Sequence, residues 1–261
     1  MKISLIITTI NKLSKNIRNF SSNSKKKNWS FIVVGDKKTP KKFNLKNGNY
    51  FNITDQIRSN INFAKICPIN SYARKNIGYL IAIKNKSEII IETDDDNYPK
   101  KNFFSNPKLE YKAPEITNKN WVNIYDLFSK NTNLIWPRGI PLDFVKKNKI
   151  VLNKIKKKQK FYLQQGVCDI NPDVDAIYRL INEKINIRFK NDFFVSLGNA
   201  YSPTNSQNTI WFKEAFPLLY LPVSCSMRAT DIIRGLVAMR ILQNDKKKNI
   251  IFWYYSLSKK K

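Results

Sequence analysis

The chain has 261 residues, is 42% apolar and 13% aromatic, and so carries enough apolar surface for one sizeable core; global disorder is excluded. Lysine and arginine number 47 against 19 acids, a formal net charge of +28, and histidine is absent, which rules out a Ser-His-Asp triad, a histidine proton shuttle and histidine-ligated zinc. Any metal must then be bound through oxygen, favouring Mg²⁺ or Mn²⁺.

Ile3 to Ile10 is a β-branched apolar run and predicts a first, buried strand. The run is too short to span a membrane and has no cleavage site after it. Lys12 to Lys27 predicts a weak helix and a loop. Trp29 to Val34 predicts a second strand, closed by Gly35 and Asp36, with a turn at Thr39-Pro40. Tyr50 to Thr54 predicts a short third strand, and Ser71 to Asn85 has an apolar pattern compatible with a helix. Glu88 to Thr93 predicts another buried strand, because its apolar run does not alternate.

Past Pro99 the prolines at 107, 114, 137 and 141 predict a loop-rich middle. Lys146 to Lys160 is basic and amphipathic, a pattern that selects neither helix nor strand. Asp173 to Asn182 predicts a helix, Ile210 to Phe212 and Leu218 to Val223 predict strands, and Asp231 to Leu242 predicts a helix. Strands alternating with helical segments predict an α/β fold with a largely parallel sheet. One domain over 1–261 is expected, with a soft division near 105 into a nucleotide-binding half (1–105) and a basic acceptor-binding half (106–261).

The strand at Glu88 ends in three consecutive acids, Asp94, Asp95 and Asp96. Open α/β sheets bind ligands at the carboxyl ends of their strands, and three adjacent carboxylates call for a positive partner. A hard divalent cation, Mn²⁺ or Mg²⁺, held by Asp94 and Asp96 against a substrate diphosphate fits that requirement, with Asp95 beside the donor. Thr8, Thr9 and Asn11 follow the first strand and Asp36 the second, so all four are expected at the same crevice, Asp36 accepting a base N–H or a ribose hydroxyl; turn chemistry alone would also explain Asp36. In the string from Tyr72 to Gly78, Arg74, Asn76 and Gly78 are expected at the donor diphosphate, since cations and backbone donors at a helix start suit phosphate.

The order strand, Gly-Asp, A-R-x-N-x-G, strand, D-x-D resembles a nucleotide-sugar glycosyltransferase of the GT-A fold. More closely the chain resembles the STELLO glycosyltransferase-like family, through VVGDKKTP (33–40), RKNIGYLIAI (74–83), IIETDDDN (90–97), WPRGIPL (136–142), DVDAIYRL (173–180), SPTNSQNT (202–209) and the R-x-x-D-I-x-R-G string from Arg228 to Gly235. Several of these pieces look distantly like the reversibly glycosylated polypeptides, which include UDP-sugar mutases. The resemblance implies a GT-A, Rossmann-like domain, a UDP-sugar type of donor and a D-x-D metal site. Against the resemblance, no membrane anchor is expected before this domain, and the sequence ends in FWYYSLSKKK (252–261).

Inverting GT-A enzymes are similar in placing a carboxylate at a helix start, and Asp231 is the matching candidate base, with Thr230 as a cap. The helix dipole would keep Asp231 ionised so that it takes the acceptor's proton. An Asp in a first turn is also common without any catalytic duty. Arg228 and Arg234 are expected to bind phosphate or to pair with acids. Asp169, Asn205, Gln207 and Arg228 are the acceptor-side candidates, with Gln165 and Asp173 nearby in sequence. Trp136, Trp211 and Tyr220 either stack on sugar or belong to the core.

The function expected is transfer of a sugar from a nucleotide-diphosphate donor to an acceptor hydroxyl on a carbohydrate or other molecule, with inversion or retention open. The alternatives are a nucleotide-sugar mutase or self-glycosylating protein, and a non-catalytic binding protein on the same fold. Cys67, Cys168 and Cys225 show neither zinc nor disulfide spacing and suit a reducing cytoplasm. The lysines lie in short runs amid abundant Asn and Ile, which reads as compositional bias; loose contact with an anionic membrane is expected, and no specific nucleic acid.

Overall fold

The branched apolar runs of Ile3–Thr9, Ser30–Gly35 and Ile89–Asp94 become strands, and the chain between them folds back over the sheet. The computed structural model describes residues 1–130, 134–146, 149–182, 185–190, 194–245 and 249–259. Strand β1 (Ile3–Thr9) leads into α1 (Lys15–Lys26), β2 (Ser30–Gly35), β3 (Asn49–Phe51) and two short helices, α2 (Ile53–Arg58) and α3 (Asn62–Ile66). A 3-10 turn, Tyr72–Arg74, runs into α4 (Lys75–Lys84), followed by β4 (Ile89–Asp94) and β5 (Asn97–Pro99). Then come β6 (Glu110–Ile116), α5 (Ile124–Phe128), β7 (Leu152–Asp169), α6 (Ala176–Ile181), β8 (Phe194–Ser196), β9 (Asn208–Phe212), α7 (Thr230–Asn244) and β10 (Asn249–Lys259).

The strands form one sheet in the order β3-β2-β1-β4-β9-β7-β6-β8-β10-β5, with an added β7–β10 pairing. The pairs β3–β2, β2–β1 and β1–β4 are parallel. From β4 onwards the sheet turns mixed: β4–β9, β9–β7 and β7–β6 are antiparallel, whereas β7–β10 is parallel. The expected largely parallel sheet is therefore corrected to a mixed one. Parallel neighbours need long, usually helical crossovers, and α5 and α6 are too short to supply them in the second half.

Local chemistry explains the other differences. The stretch expected as a strand at Leu218 to Val223 is a 3-10 segment (Lys213–Leu218) and then irregular chain. Pro217 and Pro222 have no N–H for a ladder, and the backbone of Leu221 pairs with the Asn76 side chain instead. The supposedly loop-rich middle holds β6, which tolerates Pro114 because the register shifts between Ala113 and Glu115. The unassigned Lys146 to Lys160 stretch enters β7 at Leu152; Lys147 and Asn148 within it lie outside the described residues, as do Lys246 to Lys248.

The core lies between sheet and helices. Ile89, Ile90 and Ile91 are wholly buried, as are Leu5, Ile6 and Ile7 beside them. Helix α4 rests directly on β1 and β2 at Gly78, where a Cβ would meet Ile6 at 2.7 Å and Val34 at 3.0 Å. Among the described residues no helix is long and apolar enough to cross a membrane.

Candidate active site

The carboxyl ends of β1, β2 and β4 and the first turn of α7 surround a cavity of about 640 Å³. Its walls include Thr8, Thr9, Asp36, Arg74, Asp94, Asp95, Asp96, Gln207, Arg228 and Asp231, ten residues that the sequence nominated. They meet because parallel neighbours share a direction: Thr8 lies opposite both Val34 and Asp94 in register.

The three acids are not equivalent. Asp95 accepts from Thr9 Oγ1 and, at 3.0 Å, from the Asn11 amide, so Thr9 and Asn11 fix the acidic turn to the end of β1. Asp94 accepts from the Tyr72 hydroxyl at 2.9 Å and lies 3.7 Å from Lys75 Nζ. Asp96 lines the cavity beside it. Asp36 holds a loop: Oδ1 takes the Lys37 and Asn70 N–H groups, and Oδ2 takes that of Ser71 at 3.0 Å.

Arg74 is almost wholly buried, with Nε on Gln56 and Nη1 on the Cys67 and Pro68 carbonyls. Its Nη2 is buried with no hydrogen-bond partner among the described residues, and Arg74 is one of the cavity's lining residues. Lys75, the second cation of that motif, has no solvent exposure. It donates to Tyr72 Oη (2.9 Å) and to the carbonyls of Thr93 (3.1 Å) and Ser206 (3.2 Å).

Asp231 sits in the first turn of α7, where Gly235 lets the helix approach the chain at Thr204, whose backbone oxygen would stand 2.8 Å from an added Cβ. Ala229, not Thr230, occupies the cap position; Thr230 Oγ1 donates to the Pro222 carbonyl. Arg138 reaches both Asp231 oxygens at 3.0–3.2 Å and forks on Asp173 through Nε (2.9 Å) and Nη2 (2.6 Å). Ser206 donates its N–H (3.2 Å) to Asp231 Oδ2, and its Oγ lies 3.1 Å from the same oxygen. Burial pushes the Asp231 carboxyl up, but the Arg138 charge and hydrogen bonds, then Arg234 and the Ser206 N–H, outweigh it and hold the group below its ordinary value.

Five nominated residues lie outside these walls, Asn11 reaching the site only through its bond to Asp95. Asn76 is buried with its amide spent on both backbone groups of Leu221, and Gly78 serves helix-to-sheet contact. Asp169 is buried against Lys100 Nζ at 2.5 Å and the Phe189 N–H. Asn205 is tied to Gln165 and to the Gln207 N–H. Trp211 and Trp136 are core residues: Trp211 donates to Glu92 at 2.8 Å, and Trp136 packs edge-on against Tyr178. Arg234 pairs with an acid, Glu92.

Arg138, Tyr72 and Ser206 are site residues without a role legible in the sequence alone. Two signals existed: Arg138 sits within WPRGIPL, and Ser206 lies between Asn205 and Gln207, which were nominated.

No family model matches the chain. It is 33% identical over 244 residues to "Probable glycosyltransferase STELLO2" of Arabidopsis thaliana, covering 83% of this chain and 31% of that protein. It is 31% identical over 242 residues to "Probable glycosyltransferase STELLO1" of the same plant, covering 82% and 30%. The chain thus spans about a third of the length of these relatives. A solved structure, the inositol-1-phosphate CTP transferase from T. maritima, matches at a TM-score of 0.34 and 10% identity over 100% of this chain and 89% of that one, too remote a likeness to build on.

Proposed function

This chain belongs to the STELLO-like glycosyltransferase family over the residues aligned with it, and from that premise we propose that it is a GT-A enzyme transferring a sugar from a UDP-type nucleotide-diphosphate donor to an acceptor hydroxyl. The observation that carries this reading is the meeting of Asp94, Asp95 and Asp96 with Asp231 around one cavity whose walls also hold the strand ends Thr8, Thr9 and Asp36.

The donor diphosphate lies across the acidic turn. A Mn²⁺ or Mg²⁺ ion would be held there by Asp94 and Asp96. Among the described residues no group of three or more His, Cys, Asp or Glu is arranged to hold a metal by itself. Hard ions of this kind need only one or two carboxylates when substrate phosphates and water complete the shell, so the donor set fits. Such an ion, when bound, supplies Lewis-acid neutralisation of the charge on the leaving nucleotide.

The remaining work falls to side chains. Asp95, pinned by Thr9 and Asn11, keeps the acidic turn in place. Asp36 Oδ2, with one backbone donor, keeps a lone pair for a base N–H or a ribose hydroxyl. Arg74 offers Nη2. Asp231 takes the acceptor hydroxyl's proton, and Arg138, held by its fork on Asp173, favours the ionised carboxylate that this needs. On the acceptor side, Gln207 and Arg228 line the cavity.

Calorimetric titration with UDP, and with GDP for comparison, with and without Mn²⁺, tests this on the native chain and on Asp96→Ala. Manganese-dependent UDP binding that Asp96→Ala abolishes is the expected result. Absence of nucleotide binding under every metal condition would overturn the reading.

A further inference from the structure

Two hydroxyls join the acidic turn to Asp231. Tyr72 Oη donates to Asp94 Oδ1 at 2.9 Å, lies 2.7 Å from Ser206 Oγ, and Ser206 Oγ lies 3.1 Å from Asp231 Oδ2. Lys75 Nζ, itself fully buried, donates into the Tyr72 oxygen at 2.9 Å. Tyr72, Ser206, Asp94 and Asp231 come from four segments: the turn before α4, the chain before β9, the end of β4 and the start of α7.

The row has three oxygen–oxygen contacts and two hydroxyl protons, since each hydroxyl carries one. Two oxygens 2.7 Å apart need a proton between them, so the Tyr72–Ser206 contact takes one in every arrangement. Two orders remain. In the first, Tyr72 donates to Asp94 and Ser206 donates to Tyr72, leaving the Ser206 N–H as the only Ser206 donor to Asp231. In the second, Tyr72 donates to Ser206 and Ser206 donates to Asp231, and the hydroxyl proton is withdrawn from Asp94. Lys75 donates to Tyr72 in both orders and keeps the phenol oxygen in place.

We propose that Tyr72 and Ser206 are positioning residues that couple the cation–diphosphate end of the cavity to Asp231, their hydroxyls turning from the first order to the second when Asp94 is drawn onto a cation. The inference rests on the reading of Asp94 as a cation ligand given above. A cation repels a proton aimed at the same carboxylate, so loading favours the second order. Asp231 then gains a donor on Oδ2, the oxygen that also meets Arg138 Nη2. Reciprocity follows: a change at Asp231 alters affinity at the cation end.

The test is a double-mutant cycle read by calorimetry of Mn²⁺-dependent UDP binding, on the native chain, Asp231→Asn, Ser206→Ala and the double variant. Through-space effects of the lost Asp231 charge persist whether or not Ser206 has its hydroxyl. The part carried by the row does not. The expected result is that Asp231→Asn changes the affinity by a factor at least about threefold different in the Ser206→Ala background from that in the native one. Ser206→Thr, which keeps a hydroxyl, restores the native factor. A merely structural Ser206 would shift both affinities together and leave the ratio unchanged, and equal factors in the two backgrounds overturn the coupling. Failure of the native chain to bind UDP with Mn²⁺ overturns the underlying site reading instead, so the two failures are distinguishable.

Discussion

Arg234 and Glu92 face each other as a two-bonded ion pair, Nη2 to Oε1 at 2.7 Å and Nη1 to Oε2 at 3.1 Å, with both side chains closed to solvent. The pair fastens α7 to β4 two residues before Asp94. Tyr79 donates its hydroxyl to Glu92, Trp211 donates its indole N–H, and the Arg234 guanidinium lies 4.9 Å from the Trp211 ring centre. The charges are therefore compensated and joined by two hydrogen bonds, while Arg234 Nε has no hydrogen-bond partner among the described residues.

Removing one partner leaves the other charged and buried. Arg234→Met is expected to lower unfolding free energy by about 3–5 kcal/mol. Lys75 Nζ, 3.7 Å from Glu92 Oε2, remains beside the carboxylate in that variant; combining it with Glu92→Gln is expected to cost less than the sum of the two single changes, because the bonds between the pair are lost only once. Urea denaturation of the four proteins checks this, and strict additivity would contradict it.

Asn76 gives a different expectation. Its amide satisfies both the N–H and the carbonyl of Leu221, at 2.9 and 2.8 Å, across 145 residues of sequence. Asn76→Ala strands two buried backbone groups and is expected to cost about 2–4 kcal/mol, roughly 1–3 kcal/mol for each group less what water recovers. Because Asn76 lies outside the cavity walls, UDP affinity per folded molecule is expected to stay within about twofold of native. Thermal unfolding and titration on the same samples separate the two effects.

The contrast between Asn76 and Asp94 shows how far the sequence was readable. Ile89 to Asp94 announced both a buried strand and an acidic end, because an unbroken apolar run and an abrupt run of acids are local signals. The first half followed the same logic, and β1, β2, β4 and α4 lie close to where periodicity put them. Asn76 has no such signal: its partner is a backbone made awkward by two prolines far along the chain. Arg74 and Lys75 read as a basic helix start, yet their positions under the cavity depend on Gln56, Thr93 and Ser206, which only the fold brings close. The mixed sheet escaped for a similar reason, since strand direction is set by pairing partners and crossover length. Pro114 also disguised β6 as loop, because a bulge is not visible in one strand's sequence.

Gly235 controls how closely α7 approaches the chain at Thr204, and hence how Asp231 meets Ser206. A methyl there would collide with Thr204, including its backbone. Gly235→Ala is expected to lose about 1–3 kcal/mol of stability through overpacking, despite the gain in helix propensity. It is also expected to weaken Mn²⁺-dependent UDP binding, which Asn76→Ala does not. Unfolding and calorimetry on the two variants check the contrast, and a stabilised Gly235→Ala would contradict the packing account.

The Asp231–Arg138 contact carries a pH signature whose sign is fixed by the direction of the Asp231 shift. Its carboxyl is held below the ordinary value in the folded protein, by Arg138 above all against the opposing effect of burial. The unfolded chain therefore binds this proton more readily than the folded one, and stability rises with pH across the interval between the two values. The contribution is fully present above the unfolded value, about 4, and is lost as pH falls through the lower folded value. Asp231→Asn lacks it at every pH. The gap in melting temperature between native and Asp231→Asn proteins is expected to be flat from roughly pH 5 to 8 and to narrow below about pH 4. Scans of both proteins across that range check it. A gap that widens on acidification would mean that burial outweighs Arg138 and that Asp231 is protonated more readily in the folded state, the opposite of what its contacts require.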